Sequence, residues 1–352
     1  MLTLVTVIYG DDRRYRVELF GSVLSILKLR QHEDTRIVVY TDRALGDFPL
    51  PVTERIISPE EWQEWTRGSD IAHLVKLHLV RQTLEQSTGP VIYFDTDTLF
   101  LTPPEQLAER LSSKTAMMHA GEGPIRNHEI WSNVTAWLGD GRDVCGQKLS
   151  GDTPMFNSGI VGVVREHTDA LRRSIDIADA LHAVDPVFSL EQFSTGVALM
   201  NQAQVIDCEQ DVLHYWGWNR SFIRDSIDTF WLQHQDSTLQ QMCVAFAPNR
   251  LAQLPRINWR DKLHGRYLEF RCGLNDDGRF SCIALRSAQR KAASDADDAN
   301  RWFTVHLDFL LRQHQTDTRT ANNLLKALAT DYENCRRWLC DENLANLIRL
   351  TD

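Results

Sequence analysis

The chain has 352 residues, of which 43% are hydrophobic and 24% charged, with a formal net charge of −10. This composition is typical of a globular protein with a substantial core, divided into one large or two ordinary domains. The net negative charge and the absence of a Lys/Arg-rich block exclude the basic surface that binding of a nucleic acid requires. We therefore expect no nucleic acid among its partners.

The sequence predicts no transmembrane segment, because no apolar run approaches the roughly 18 residues that a spanning helix needs. The apolar start, Met1 to Gly10, is short and leads directly into charged residues, which is typical of a buried first strand. The seven cysteines form no Cys-x-x-Cys pair and their count is odd, which indicates reduced thiols. We expect a cytoplasmic protein, or one held peripherally at a membrane through its acceptor.

Strand and helix patterns alternate in the first half of the chain. Apolar runs predict strands, and apolar residues at helical spacing predict the helices between them. The predicted strands are 2–9, 36–40, 52–57, 91–94, 155–164 and 204–207, and the predicted helices are 16–30, 70–84, 166–184 and 189–200. Nearly continuous apolar strands separated by helices predict an α/β fold with a mostly parallel sheet covered on both faces.

The remaining segments have weaker patterns. Residues 117–151 are glycine-rich and predict an irregular segment, whereas residues 274–278 predict a β-hairpin. The C-terminal part predicts helices near 301–315, 319–329 and 331–349, so that residues 246–352 form a mainly helical appendage. These helices could also support an oligomer.

Acidic and aromatic residues follow three of the predicted strands, at Tyr9 to Asp12, Thr41-Asp42, and Asp95 to Asp97. Ligands of such sheets bind beyond the carboxyl ends of the strands, so these segments are expected to meet in one crevice. Asp95 and Asp97 stand close enough to repel each other unless a cation neutralises them, and a divalent ion with open positions suits that task. The sequence therefore predicts a metal site at Asp95 and Asp97.

Four short motifs follow one another along residues 1 to about 225. They are Asp95-Thr-Asp97, Phe156-Asn-Ser-Gly159, Glu191-Gln192, and His214-Tyr-Trp-Gly217 with Arg220. Their order resembles the nucleotide-sugar-dependent glycosyltransferases of the A-type (GT-A, Rossmann-like) fold, and most nearly the glycogenin and galactosyltransferase group called family eight. The resemblance implies a catalytic domain over residues 1–245 that transfers a sugar from a nucleotide-sugar, favouring UDP-sugars, to a hydroxyl of a glycan or glycoconjugate.

The resemblance also assigns roles to individual residues. The implied metal ligands are Asp95, Asp97 and His214, and an imidazole ligand favours Mn²⁺ over Mg²⁺. The implied nucleotide-sugar contacts are Tyr9, Asp11, Asp12, Lys76, Asp95, Thr96, Asn157, Ser158, Gly159, Gly217 and Arg220. Glu191 and Gln192 are the implied catalytic pair, for which both stereochemical outcomes stay open. The family usually has Lys-Pro-Trp where this chain has Arg220-Ser-Phe222.

Two other functions fit parts of the pattern. The run Phe94-Asp-Thr-Asp-Thr98 also matches the first motif of haloacid-dehalogenase-type phosphatases, in which Asp95 would be the nucleophile and Lys114 a phosphate partner. In that reading Leu138-Gly-Asp-Gly-Arg-Asp143 would be the last acidic loop, although only about 40 residues separate the two motifs. A binding module for carbohydrate, using some of the ten tryptophans as stacking platforms, is the non-enzymatic alternative.

Overall fold

The computed structural model describes residues 1–68, 72–217, 219–251, 257–292, 294–328, 332 and 341–351. The chain forms two compact units. The first unit contains Met1–His214 and Ser237–Pro248, and the second contains Tyr215–Asp236 and Asn249–Asp352. The predicted division into functional domains at residue 245 stays a prediction.

The strands are short, and most of them contribute to one sheet. In chain order they are β1 (Thr3–Ile8), β2 (Arg36–Thr41), β3 (Thr53–Ile56), β4 (Val91–Phe94), β5 (Thr98–Phe100), β6 (Thr115–Pro124), β7 (Arg142–Val144), β8 (Gln147–Leu149), β9 (Pro154–Val163), β10 (Gln204–Asp207) and β11 (Val212–His214). Seven of them form a sheet in the order β10-β6-β9-β4-β1-β2-β3 within the described residues. Only β9 runs antiparallel to its neighbours, so the sheet is mostly parallel.

Helices account for most of the remaining described chain. They are α1 (Arg13–Leu29), α2 (Pro59–Trp65), α3 (Val75–Gln86), α4 (Pro104–Ala108), α5 (Ser132–Leu138), α6 (Thr168–His182), α7 (Leu190–Met200), α8 (Arg220–Gln233), α9 (Leu239–Ala245), α10 (Pro248–Leu251), α11 (Trp259–Cys272), α12 (Asp276–Lys291), α13 (Ala296–Thr316), α14 (Thr318–Ala327) and α15 (Asp341–Thr351). None of the described helices is both long enough and apolar enough to cross a membrane.

The central strands are buried along nearly their whole length. Every residue of β4 is buried, and all but one residue of β1 and of β2 are buried. Since successive side chains of a strand point to opposite faces, burial of both sets means that both faces of the sheet are covered. The predicted α/β class, with a mostly parallel sheet flanked by helices and a mainly helical C-terminal region, is confirmed.

Two local predictions are wrong. The segment predicted to be irregular contains β6, a ten-residue strand whose register shifts twice beside β9, at Met118/Ala120 and Gly121/Gly123. Gly121 and Gly123 mark the second of these irregularities rather than a loop. The hairpin predicted at residues 274–278 is the start of α12, where the Asn275 side chain accepts a hydrogen bond from the Gly278 amide. The predicted helix 331–349 lies partly outside the described residues.

The second unit has a core of its own, built by α11 to α14 with α8 and α15. Trp302 and Phe303 of α13 are among its largest buried side chains. The buried imidazole of His306 is satisfied on both sides, by the Ser281 hydroxyl at Nδ1 (2.7 Å) and the Tyr332 hydroxyl at Nε2 (2.8 Å). Such a paired polar group costs little stability inside an apolar core.

His78 makes the stability of the fold sensitive to acid. Its ring stacks on Trp65 with centroids 5.5 Å apart, and burial, together with the charges of Arg67 and Arg81, lowers the pKa of His78 to about 4. As pH falls from about 6.5 to about 4, the unfolded chain binds this proton before the folded chain does, so the free energy of unfolding decreases. We expect His78→Phe, which keeps the stacking, to remove about 3 kcal/mol of this decrease.

Urea unfolding of the variant and the wild type on both sides of this pH interval measures the effect. His32→Gln, at an exposed histidine, serves as the control and should keep the full pH dependence. Parallel pH profiles for His78→Phe and the wild type would contradict the prediction.

Candidate functional site

The carboxyl ends of β1, β2 and β4 meet at one edge of the sheet. β1 pairs in parallel with both neighbours, so that Ile8 lies beside Thr41, and Val5 lies beside Tyr93. The segment after β1 reaches the segment after β2, where the Gly10 amide donates to the Asp42 carboxylate (3.3 Å). The predicted convergence of the three strand ends is therefore confirmed.

A tight turn after β4 carries the two aspartates. The Thr98 hydroxyl donates to the Asp95 carbonyl oxygen (2.7 Å), which closes the turn. Ser22 of α1 also holds the turn, because its hydroxyl lies 2.6 Å from the Thr96 carbonyl oxygen and 2.5 Å from the Thr98 carbonyl oxygen. The positions of Asp95 and of Asp97, which is buried, thus depend on local turn geometry and on α1.

The pairing of β11 with β5 brings His214 to this turn. The two strands are antiparallel, and His214 lies opposite Thr98, one residue beyond Asp97. Its Nε2 atom lies 3.3 Å from Asp97 Oδ1 and 3.7 Å from Asp95 Oδ2. One ligand atom from each of these three residues lies within 4.8 Å of the others. The three predicted metal ligands therefore form one cluster.

Asn157 sets the orientation of the His214 ring. The Asn157 Oδ1 atom accepts from the Gly159 amide (2.9 Å) and lies 2.9 Å from His214 Nδ1, while its Nδ2 donates to Glu122 (2.9 Å). These partners fix which end of the amide faces the ring, so Nδ1 carries the hydrogen in neutral His214. Nε2 then presents its lone pair toward the carboxylates, as a metal ligand must.

Gly159 leaves the space that His214 occupies. A Cβ atom at residue 159 would lie 2.2 Å from His214 Nδ1 and 2.4 Å from Cε1. The Gly159 carbonyl oxygen also accepts from the Asp95 amide (2.8 Å), and this hydrogen bond joins β9 to the turn that carries the aspartates. The missing Cβ thus leaves room for the imidazole, and the contact of Gly159 with the nucleotide-sugar stays a prediction.

A buried lysine lies beside the cluster. The ammonium of Lys76, the second residue of α3, lies 3.1 Å from Asp95 Oδ1, 3.5 Å from Glu191 Oε1 and 3.0 Å from the Ser158 hydroxyl. Burial works to lower the pKa of Lys76, but the charges and hydrogen bonds of Asp95 and Glu191 outweigh burial, so that the pKa is raised. Lys76 therefore carries its positive charge inside the protein.

The catalytic pair predicted from the sequence lies in the first turn of α7. The Glu191 carboxylate accepts from the Ser158 hydroxyl through Oε1 (3.0 Å), whereas its buried Oε2 has no hydrogen-bond partner among the described residues. Gln192 Oε1 accepts from the Ser158 amide (3.3 Å), and its Nε2 donates to Glu122 (2.7 Å). Glu122 therefore holds both Gln192 and Asn157.

Two residues of the site, Tyr93 and Glu122, were not predicted from the sequence. The Tyr93 hydroxyl donates to Asp95 Oδ1 (2.5 Å), and burial together with the Asp95 charge raises the pKa of Tyr93 well above its ordinary value. Tyr93 stands two residues before Asp95, and side chains at this spacing in a strand point to the same face. This spacing could have predicted the contact between them. Glu122 lies in the irregular part of β6, where no sequence pattern indicated a strand.

The remaining predicted residues lie at the strand ends or in the second unit. Tyr9 packs edge-on against Trp62, with ring centroids 5.2 Å apart. The Asp11 carboxylate forms an ion pair with Arg43, and Asp12 caps α1 by accepting from the Arg14 amide (2.9 Å). Gly217 and Arg220, the first residue of α8, belong to the second unit. Their roles stay predictions.

No protein-family model matches the chain. An enolase from Beutenbergia cavernae is 31% identical over 87 residues, which make up 25% of this chain and only 17% of the enolase. The apo structure of mouse xyloside xylosyltransferase 1 matches 58% of this chain and 85% of its own, with 14% identity and a TM-score of 0.43. Neither likeness shows a family, so membership of family eight stays a prediction.

The space at Gly159 provides a direct test of the cluster. We expect Gly159→Ala to displace the His214 ring and to lower the affinity for Mn²⁺ by about tenfold or more, as loss of ligand orientation does. Calorimetric titration with Mn²⁺ measures this affinity. Gly121→Ala is the matched control, because a Cβ there meets nothing within 4 Å. Equal Mn²⁺ affinity in both variants would contradict the role assigned to this glycine.

Proposed function

We propose that the protein is a metal-dependent glycosyltransferase that moves a sugar from a nucleoside-diphosphate sugar, with UDP-sugars favoured, to a hydroxyl group of a glycan or glycoconjugate. The observation that carries the proposal is the Asp95, Asp97 and His214 cluster at the carboxyl edge of a mostly parallel sheet. Nucleotide ligands of such sheets bind at this edge. The order of the four sequence motifs supports the same function.

The charges of the site favour a divalent cation. Asp95, Asp97 and Glu191 supply three carboxylates, and Lys76 supplies one ammonium, which leaves an excess of two negative charges when His214 is neutral. Two carboxylates and one imidazole suit Mn²⁺ better than Mg²⁺, which prefers oxygen ligands. A bound divalent ion would stabilise the negative charge that develops on the leaving nucleoside diphosphate.

The side chains around the cluster have separate tasks in this proposal. Lys76 holds the Asp95 carboxylate, so that one oxygen of Asp95 stays directed toward His214. Ser158 and Gln192, which bond to each other, would line the donor-sugar side, and Glu191 Oε2, which has no partner among the described residues, would accept a sugar or acceptor hydroxyl. Tyr9 and Asp12, at the end of β1, would contact the base and ribose.

The positions of Lys114 and Asp143 disfavour the phosphatase function. Gly162 of β9 pairs with both Ile92 and Met117, which places Lys114 six residues away from Asp95 along the strand direction. At about 3.3 Å per residue the separation is about 20 Å, at the opposite edge of the sheet. Asp143 accepts from the Gly146 amide (3.0 Å) in the β7–β8 connection, so it closes a turn there.

Ligand-dependent thermal stabilisation separates the three functions. We expect UDP with Mn²⁺ to raise the Tm by several degrees, and UDP or Mn²⁺ alone to raise it less. The assay also includes GDP, UDP-sugars and GDP-sugars, each with and without Mn²⁺. Stabilisation by Mg²⁺ with beryllofluoride but by no nucleotide would favour the phosphatase instead. Stabilisation by oligosaccharides alone would favour a binding module.

Asp97 provides the sharpest test of the metal assignment. Asp97→Asn keeps the shape of the side chain but removes one ligand charge, so we expect metal-dependent hydrolysis of the donor to fall by about a hundredfold or more. Asp47→Asn, at an exposed carboxylate outside the cluster, should retain full activity. Wild-type hydrolysis by Asp97→Asn would refute the metal role of this residue.

Glu122 is expected to act as a positioning residue. Glu122→Gln offers an amide to Asn157 and Gln192, both of which now donate to the carboxylate, so at least one of these hydrogen bonds is lost. We expect kcat for donor hydrolysis to fall about tenfold, while calorimetry shows a smaller loss of Mn²⁺ affinity, because the Gly159 amide still holds Asn157 Oδ1 toward His214. Loss of Mn²⁺ affinity in proportion to kcat would instead make Glu122 part of the metal site.

A further inference from the structure

Helix α11 of the second unit presents an apolar face to solvent. Trp259, Leu263, Tyr267 and Phe270 are 64%, 57%, 55% and 91% exposed, respectively. At 3.6 residues per turn they lie within about 80° of the helix circumference, so they form one continuous face. We call these four side chains the α11 apolar face. A continuous face of this kind is unusual on a surface and marks an interaction site.

The opposite face of α11 packs inward. Asp261, Gly265 and Leu268 are buried, and a Cβ atom at Gly265 would lie 2.6 Å from Ile283 Cγ1 of α12. The buried Asp261 carboxylate is neutralised by an ion pair with Arg290. The helix therefore cannot rotate to hide its aromatic side chains without exposing this packed interface and breaking the ion pair.

Basic residues flank the α11 apolar face on both sides. Lys262 and Arg266 lie along one edge, and Arg260 and Arg271 lie along the other, and all four are exposed. Neither Lys262 nor Arg266 forms a side-chain hydrogen bond or ion pair with another described residue. With four basic and two acidic residues, α11 has a charge of +2 in a chain of net charge −10.

A groove beside this face extends its apolar surface. It has a volume of about 610 Å³ and lies between α11 and α12. Its apolar walls include Leu263, Phe280 and Ile283, and the charged residues that line it, Lys262, Arg266 and Arg279, are all basic. An apolar groove with a basic rim complements a molecule that has a hydrocarbon chain and an anionic headgroup.

We propose that α11 docks the protein onto the surface of an anionic lipid bilayer, with the α11 apolar face inserted among the acyl chains and its basic flanks on the headgroups. An interfacial helix of this kind is characterised by Trp, Phe and Leu on one side and Lys or Arg beside them. A second copy of this chain fits the face less well, because symmetric pairing would bring the basic flanks of the two copies together. The face also differs in chemistry from the acidic site of the first unit.

Flotation of the full-length protein with lipid vesicles tests the proposal. We expect binding to vesicles of two parts phosphatidylcholine and one part phosphatidylglycerol, little binding to phosphatidylcholine alone, and release at high salt because exposed charges are screened. Lys262→Glu with Arg266→Glu should lower the partition coefficient about tenfold or more. Phe270→Ser, at a side chain that is 91% exposed, should weaken binding without unfolding the protein.

Two control variants match these changes. Leu232→Ser alters another exposed apolar residue of the second unit, and Lys114→Glu alters an exposed lysine of the first; both should bind like the wild type. Equal binding to both vesicle types, no binding to either, or wild-type binding by the α11 variants would overturn the proposal. So would concentration-dependent dimerisation, measured by sedimentation without lipid and abolished by Phe270→Ser, since the face would then bind a second copy.

Discussion

The buried ion pairs of Lys76 hold the site of the first unit together. Its ammonium bonds to Asp95 after β4, to Ser158 of β9 and to Glu191 of α7, three segments that are far apart in the sequence. Removing one partner of a buried charge leaves the other uncompensated, at a cost of about 3–5 kcal/mol. Lys76 also occupies the first turn of α3, where the helix dipole opposes a cation. Only the carboxylates of Asp95 and Glu191 can offset both penalties. The first turns of α3 and α7 and the turn that carries Asp95 are therefore fixed together.

This arrangement neutralises the acidic site only in part. Lys76 serves Asp95 and Glu191, and it leaves Asp97 facing the imidazole of His214. That imidazole is itself held by Asn157, through the end of its amide that cannot donate a hydrogen bond. The site therefore has an excess of negative charge beside the lone pair of His214 Nε2, whose direction is fixed. A divalent ion satisfies both conditions, whereas a second buried lysine would satisfy only the first.

The sequence predicted what local patterns determine. Alternating strands and helices indicated which strand ends meet, and the two aspartates after β4 followed from that topology. The position of His214 came only from the order of motifs, because its contact with Asp97 depends on the pairing of β11 with a strand more than a hundred residues earlier. Glu122 was missed because the glycines around it resemble a loop. The segment at Asn275 was mistaken for a hairpin because the residues that favour tight turns also cap helices.

Helix α11 shows a different limit of sequence patterns. A stripe of Trp, Leu, Tyr and Phe at helical spacing normally identifies the face that packs into a core. Here the packed face contains Asp261 and Gly265, and the apolar face points outward. The carboxylate can be buried because Arg290 of α12 neutralises it, and the glycine lets the two helices approach closely. The side that faces inward was therefore decided by a partner in another helix. Net charge misleads in the same way, since a chain that is acidic overall still carries a basic and apolar helix whose charge suits an anionic lipid surface.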